Sequence, residues 1–244
     1  NDASNSDLYL QFPDATWQAY NGYGGNSMYD GNTAWPAGHA VKVSYNRPFF
    51  PYNSLFNTDG RQADWYMNAT YPMIRWLERN GYDITYTSCN DVARNGSRLL
   101  NHKVFISIGH DEYFSKDQRA NIEAARNAGV HLAFFTGNEV YWKTRWENNS
   151  GSEDRTLVCY KEGFMGDGSL GERACGYKCD PSPEWTGLWR TGGNYDAGQP
   201  ENGLVGQISW VEYPAEIGVP SNYKKLRFWR NSSVANLTTG QTAS

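Results

Sequence analysis

Between Lys103 and Ile108 the chain reads KVFISI, a β-branched and aromatic run that Gly109 ends before His110, Asp111 and Glu112 follow in succession. An apolar run of this kind, with no polar residue from Val104 to Ile106, fits a central parallel strand buried on both faces. Three ionisable side chains at the end of such a strand are costly unless they are paired or used. A central parallel strand also needs neighbours and crossover connections, so this stretch commits the chain to an α/β sheet.

The flanking sequence supplies them. Met67, Tyr71, Ile74 and Leu77 recur at helical spacing within 64–80, with Pro72 suited to a fresh start and Gly81 to the C-terminal cap. Residues 83–87 (DITYT) then read as a strand. After HDEY, Ser115 and Gln118 match a capping box, and the predicted helix runs through Ile122, Ala125 and Arg126 to Gly129. Residues 130–135 (VHLAFF) form the next strand, which exits through Thr136, Gly137, Asn138 and Glu139. Helix, strand, strand, helix, strand with short links predicts an open, mostly parallel sheet flanked by helices. Val41–Tyr45 is a further strand. From about Glu147 the sequence is rich in Gly, Pro and Trp, and short strands are expected at 156–160, 204–210 and 225–229. One domain spanning 1–244 is predicted, with its α/β core at about 14–146 and an irregular, partly β extension at about 147–244.

Composition excludes some partners. A net charge of -4 leaves no basic footprint for nucleic acid. No apolar run reaches the roughly 20 residues that a membrane helix needs, and NDASNSDLYLQF has no basic-then-apolar leader. Cys175 and Cys179, in CGYKC, suit a small local disulfide or half of a metal clip. Five sequons, at Asn68, Asn95, Asn148, Asn231 and Asn236, are candidate N-glycan sites. Together these favour a secreted location, with a cytoplasmic one as the alternative.

In open parallel sheets, ligands bind beyond the carboxyl ends of the strands. HDEY and TGNEVYW both lie at that edge. His110 and Glu112, two apart, can face one side of an extended turn while Asp111 faces the other.

At this point a resemblance can be stated. TWQAYNGYGGNSMYDG, VSYNRPF, IRWLERNGYDITYT, HKVFISIGHDEYFS, AARNAGVHLAFFTGNEVYWKTRWE, RTLVCYKE and QPENGLVGQ resemble, in order, the C-terminal catalytic region of the large subunit in the N,N-dimethylformamidase family. The likeness runs from about Asp14 to Gly240. It implies a fold like that of class I glutamine amidotransferases. It also implies an amide hydrolase using mononuclear Fe3+ held by two tyrosines and one glutamate. Glu112 would be the carboxylate ligand, and Tyr20 and Tyr29 the phenolates, with Tyr45 as the rival for the second place. His110, Lys161 and Glu201 would complete the catalytic cleft, Glu201 as general base. The partners implied are a small amide-type substrate and further subunits, in a homo- or hetero-oligomer.

Two phenolates and one carboxylate carry three negative charges, which balance ferric iron and differ from zinc's usual N/S set. Such a metal would polarise an amide carbonyl and acidify a water. The competing expectation is a secreted structural or glycan-binding module that keeps the fold without the activity, with Trp185, Trp189 and Trp210 lining its contact surface.

Overall fold

The structure is a computed structural model that describes residues 3–29, 39–49, 66–163, 179–190, 198–208 and 218–243, without the side chain of Asn68. The chain divides into two compact units, Asn1–Ile208 and Ser209–Ser244.

The first unit begins with strand β1 (Leu8–Phe12), helix α1 (Asp14–Tyr20), strand β2 (Lys42–Ser44) and helix α2 (Tyr71–Arg79), then β3 (Ile84–Ser88) and α3 (Cys89–Arg94). It continues with β4 (Val104–His110), β5 (Tyr113–Ser115), α4 (Lys116–Asn127), β6 (His131–Gly137), β7 (Trp142–Asn149), β8 (Ser152–Val158) and the short α5 (Asn202–Val205). The main sheet has the order β3-β1-β4-β6 and every pair in it is parallel. This is the mostly parallel, helix-flanked α/β architecture that the sequence predicts, with β4 inside the sheet.

Strand alternation explains how its two faces are filled. Leu8, Leu10, Ile106 and Ile108 point to the face covered by Ile74 and Leu77 of α2. Tyr9 and Phe105 point to the other, against Ile122 and Ala125 of α4, Val92 of α3 and Leu99. A second sheet, β2-β8-β7-β5, pairs β5 with β7 in parallel and β7 with β8 and β8 with β2 antiparallel. Under it lie Met28, Val43, Tyr113, Trp142, Leu157, Trp185 and Leu188.

Local signals act where expected. A π-helical turn, Tyr66–Thr70, precedes α2, with Pro72 in the first turn of the α-helix and Gly81 at φ +74° beyond its end. Ser115 and Gln118 form the capping box of α4 in both directions. Gly109, near the end of β4, takes φ +87°, which glycine adopts without the cost a side chain would bring.

Several expectations need correction. β1 and α1 are real elements in a stretch to which the sequence reading assigns none. The expected strand 204–210 begins instead inside a short helix, Asn202–Val205, closed by Gly206 in the left-handed region, and 209–210 lie outside the described residues. The expected strand 225–229 gives a 3-10 turn, Arg227–Trp229, in the second unit. There Trp229 N–H donates to Leu226 and Arg230 N–H to Arg227, so the backbone is satisfied locally without a ladder. The strand expected at 156–160 instead spans Ser152–Val158 as half of a hairpin with β7.

Trp185 and Trp189, expected at a contact surface, are buried core residues because each packs under a sheet; Trp210 lies outside the described residues. Cys89 and Cys159 are buried free thiols, and Cys175 lies outside the described residues. Among the described residues no helix is long and apolar enough to cross a membrane.

Ser115→Ala removes the acceptor for the Gln118 N–H at the start of a 12-residue helix. It is expected to cost about 1 kcal/mol. The measurement is the urea midpoint at unchanged slope.

Candidate active site

Asp111 and Glu112 are the two residues between β4 of the main sheet and β5 of the second sheet. Residues 138–141 make the matching joint between β6 and β7. The two joints are stitched together: Val140 N–H donates to the Asp111 carbonyl (3.1 Å), and the N–H groups of Tyr141 (3.0 Å) and Trp142 (2.9 Å) donate to that of Glu112. Asn138 and Val140 have φ of +52° and +53°, conformations that side chains rarely adopt and a β-branched residue least of all. The cross-links hold this strained turn in place.

At this junction the side chains of the HDE triplet part. Glu112, 3% exposed, turns towards α1 and the loop after it. Its Oε1 accepts from Tyr29 Oη (2.6 Å), Asn138 Nδ2 (3.0 Å) and Trp142 Nε1 (3.0 Å). Its Oε2 accepts from Tyr20 Oη (3.1 Å) and faces His110 Nε2 at 3.4 Å. Thr16 Oγ1 accepts from the Glu112 N–H (2.9 Å), fixing the backbone of the joint to α1. The Tyr20 and Tyr29 rings stack with centroids 4.1 Å apart. Lys161, itself at φ +53°, sets its ammonium 3.2 Å from the centre of the Tyr29 ring and 5.0 Å from that of Trp142.

Of the residues singled out from sequence, Tyr20, Tyr29, His110, Glu112 and Lys161 therefore come together. Tyr45 does not join them: its hydroxyl donates to Asp14 Oδ2 at 2.9 Å. Glu201, 2% exposed, is held in an ion pair with Arg190, whose guanidinium lies over the Tyr141 ring. Sequence reasoning notes the exit through Asn138 but gives no role to Asn138 or Trp142. The signal was their position, because they leave the strand beside β4 at the carboxyl edge.

Burial and the neighbouring Glu112 charge push the Tyr29 phenol well above its usual pKa. The phenol therefore keeps its proton and donates it to Glu112 when no cation is near. Among the described residues no group of three His, Cys, Asp or Glu could hold a metal. The Glu112 group is of another kind, with two of its three convergent oxygen donors being phenols. Hard, anionic oxygens suit a hard, highly charged cation, which would take the place of the two phenol protons.

Asp111 turns the opposite way, into the interior, where Gln11 Nε2 (2.6 Å) and Ser107 Oγ (2.8 Å) both donate to its Oδ2. Gln11 in turn accepts from Gln118 Nε2 (3.0 Å), so the strand, the joint and the α4 cap share one buried network. Glu139 is a further buried carboxyl, and among the described residues neither of its oxygens has a hydrogen-bond partner. Burial pushes Asp111 up to about 7, against the donors from Ser107 and Gln11. Burial, then the charge of Asp111, pushes Glu139 well above the usual carboxylate range.

Both carboxyls bind protons more readily folded than unfolded. Their contribution to stability is thus fully present below about pH 4 and is lost as pH rises through the folded values. The urea midpoint is expected to fall between pH 5 and pH 8, each raised pKa unit counting for about 1.4 kcal/mol. Glu139→Gln, which cannot ionise, should flatten that fall and be the more stable protein at pH 8.

Among curated proteins none matches this chain. The family described as N,N-dimethylformamidase beta subunit-like, C-terminal, matches residues 1–244, and with the whole sequence covered the chain belongs to that family.

Proposed function

We propose that this chain is the amide-bond-hydrolysing part of an N,N-dimethylformamidase-like enzyme, with ferric iron held by Tyr20, Tyr29 and Glu112. Family membership supports a hydrolase at a coarse level. The observation that carries the finer reading is the convergence of both phenol hydroxyls on one carboxylate, at 3.1 and 2.6 Å. Tyr20 and Tyr29 are 9 positions apart in sequence and lie more than 80 positions from Glu112, so local chain geometry alone does not explain their meeting.

The bound ion would supply Lewis acidity, polarising the amide carbonyl and lowering the pKa of a water. The chain's residues do the rest. Tyr20 and Tyr29 give up their protons on loading, and Glu112 is held for the ion by donors on its second oxygen. His110 lies beside Oε2 and is one-third exposed at its side chain, so it can pass a proton between solvent and the reacting groups. We assign the proton to the leaving amine to His110. Glu201, the glutamate that the resemblance favours as base, has its carboxylate engaged by Arg190, so acting as a base would require leaving that pair. Lys161 places a positive charge against the Tyr29 ring and favours the phenolate.

Assembly with further subunits, a class I glutamine amidotransferase-like fold, secretion, a Cys175–Cys179 bridge and glycans on the sequons remain proposals alongside this one. The glycan-binding reading loses two of its aromatic platform residues, since Trp185 and Trp189 are buried.

Metal analysis tests the reading. Protein supplied with ferric citrate is expected to bind one iron per chain and to show a visible tyrosinate-to-iron band. Glu112→Ala should lose roughly 100-fold or more in iron affinity, beyond what loss of an outer-shell partner typically costs. A wild-type chain that takes up no iron, or a Glu112→Ala chain that binds it unchanged, refutes the proposal.

A further inference from the structure

We infer that Trp142 is a positioning residue of this centre: its indole N–H holds Oε1 of Glu112 and steers Oε2 towards the bound ion. This rests on the reading of Tyr20, Tyr29 and Glu112 as the oxygen cage for ferric iron.

The two carboxylate oxygens of Glu112 are unequally held. Oε1 has three donors, Tyr29, Asn138 and Trp142, whereas Oε2 has the Tyr20 hydroxyl at 3.1 Å and His110 at 3.4 Å. A cation that replaces the phenol protons takes one donor from each oxygen. What remains is unequal. Oε1 keeps two nitrogen donors, and the indole N–H can act only as a donor. Among the described residues Oε2 keeps only the His110 imidazole, 3.4 Å away. The carboxylate is therefore pinned through Oε1 and presents Oε2.

Trp142 also reaches a second ligand, because its Nε1 lies 3.3 Å from Tyr29 Oη. One N–H is thus shared between a carboxylate and a phenol oxygen. When the phenol loses its proton it becomes the stronger acceptor, and the same indole then stabilises the charge on Tyr29.

The placement is rigid. Trp142 opens β7, pairs with Tyr113 of β5 and bridges to Leu188, and its own N–H is bonded to the Glu112 carbonyl. The indole is 4% exposed. Side-chain donor and acceptor therefore stand on backbones that are bonded to each other, so the 3.0 Å contact needs little further ordering.

The test compares Trp142→Phe with Trp146→Phe, both loaded with ferric citrate. Trp146 lies on the same strand but its indole N–H has no hydrogen-bond partner among the described residues, so the control makes the same chemical change away from Glu112. For Trp142→Phe the iron affinity is expected to fall ~10–100-fold. Its tyrosinate-to-iron band should move to longer wavelength, since the phenolate loses a hydrogen bond. Trp146→Phe should leave both unchanged. Should Trp142→Phe fail to fold, benzothienylalanine at position 142 keeps the shape of the indole and replaces its N–H with sulfur, and the same two changes are expected. An unmoved band with unchanged affinity in a folded variant overturns the role of Trp142 and leaves the iron reading standing. A wild-type chain that binds no ferric ion overturns both.

Discussion

One buried carboxylate organises this molecule. Glu112 is almost wholly removed from water at the junction of two sheets, where an unsolvated charge costs several kcal/mol unless it is satisfied. Satisfying it takes donors from α1, from the loop after α1, from the exit of β6 and from the first residue of β7. Each of those segments has its own reason to pack, but the carboxylate fixes where they meet. The arrangement is equally suited to holding a cation, because donors that neutralise a buried anion by hydrogen bonding can give way to a metal that neutralises it directly.

The topology explains why these segments are available. β1, β4 and β6 lie side by side and parallel, so their carboxyl ends open on one edge. α1 follows β1 and carries Tyr20, β4 ends on His110 and the joint after it carries Glu112, and the turn after β6 carries Asn138. Three adjacent strands thus deliver side chains to one place without a long loop. The strain at Asn138 and Val140 is the local cost of the four-residue β6–β7 joint that is bonded to the β4–β5 joint beside it.

The sequence made the framework legible wherever one physical signal dominated. The apolar run of β4, the Ser115–Gln118 cap and the helical spacing around Ile74 and Leu77 each act locally, and each is found in the structure. β1 was hidden because Gln11 interrupts its apolar character. That polar residue is buried through a partnership with Asp111, 100 positions away, which no local pattern reveals. The segment 204–210 misled because Leu204 and Val205 are apolar enough for a strand, whereas Gly206 closes a helical turn instead. At the site, the motifs picked out Tyr20, Tyr29, His110, Glu112 and Lys161. The ties of Tyr45 to Asp14 and of Glu201 to Arg190 depend on which side chains face each other, and that is set by tertiary packing.

The division of His110-Asp111-Glu112 shows how a short acidic motif can do two jobs. Alternation along an extended joint sends residue 111 inward and residues 110 and 112 outward. Inward, Asp111 meets Gln11, Ser107 and the cap residue Gln118 by way of Gln11, and burial favours its protonated form. Outward, Glu112 gathers four hydrogen-bond donors, with His110 beside them. Were both carboxyls on one side, their repulsion would drive one of them to hold a proton, and the site would lose the charge on which the proposed cation site depends. Separating them across the backbone ties the inner carboxyl to Gln11 and Ser107 and leaves the outer one for the role proposed for it.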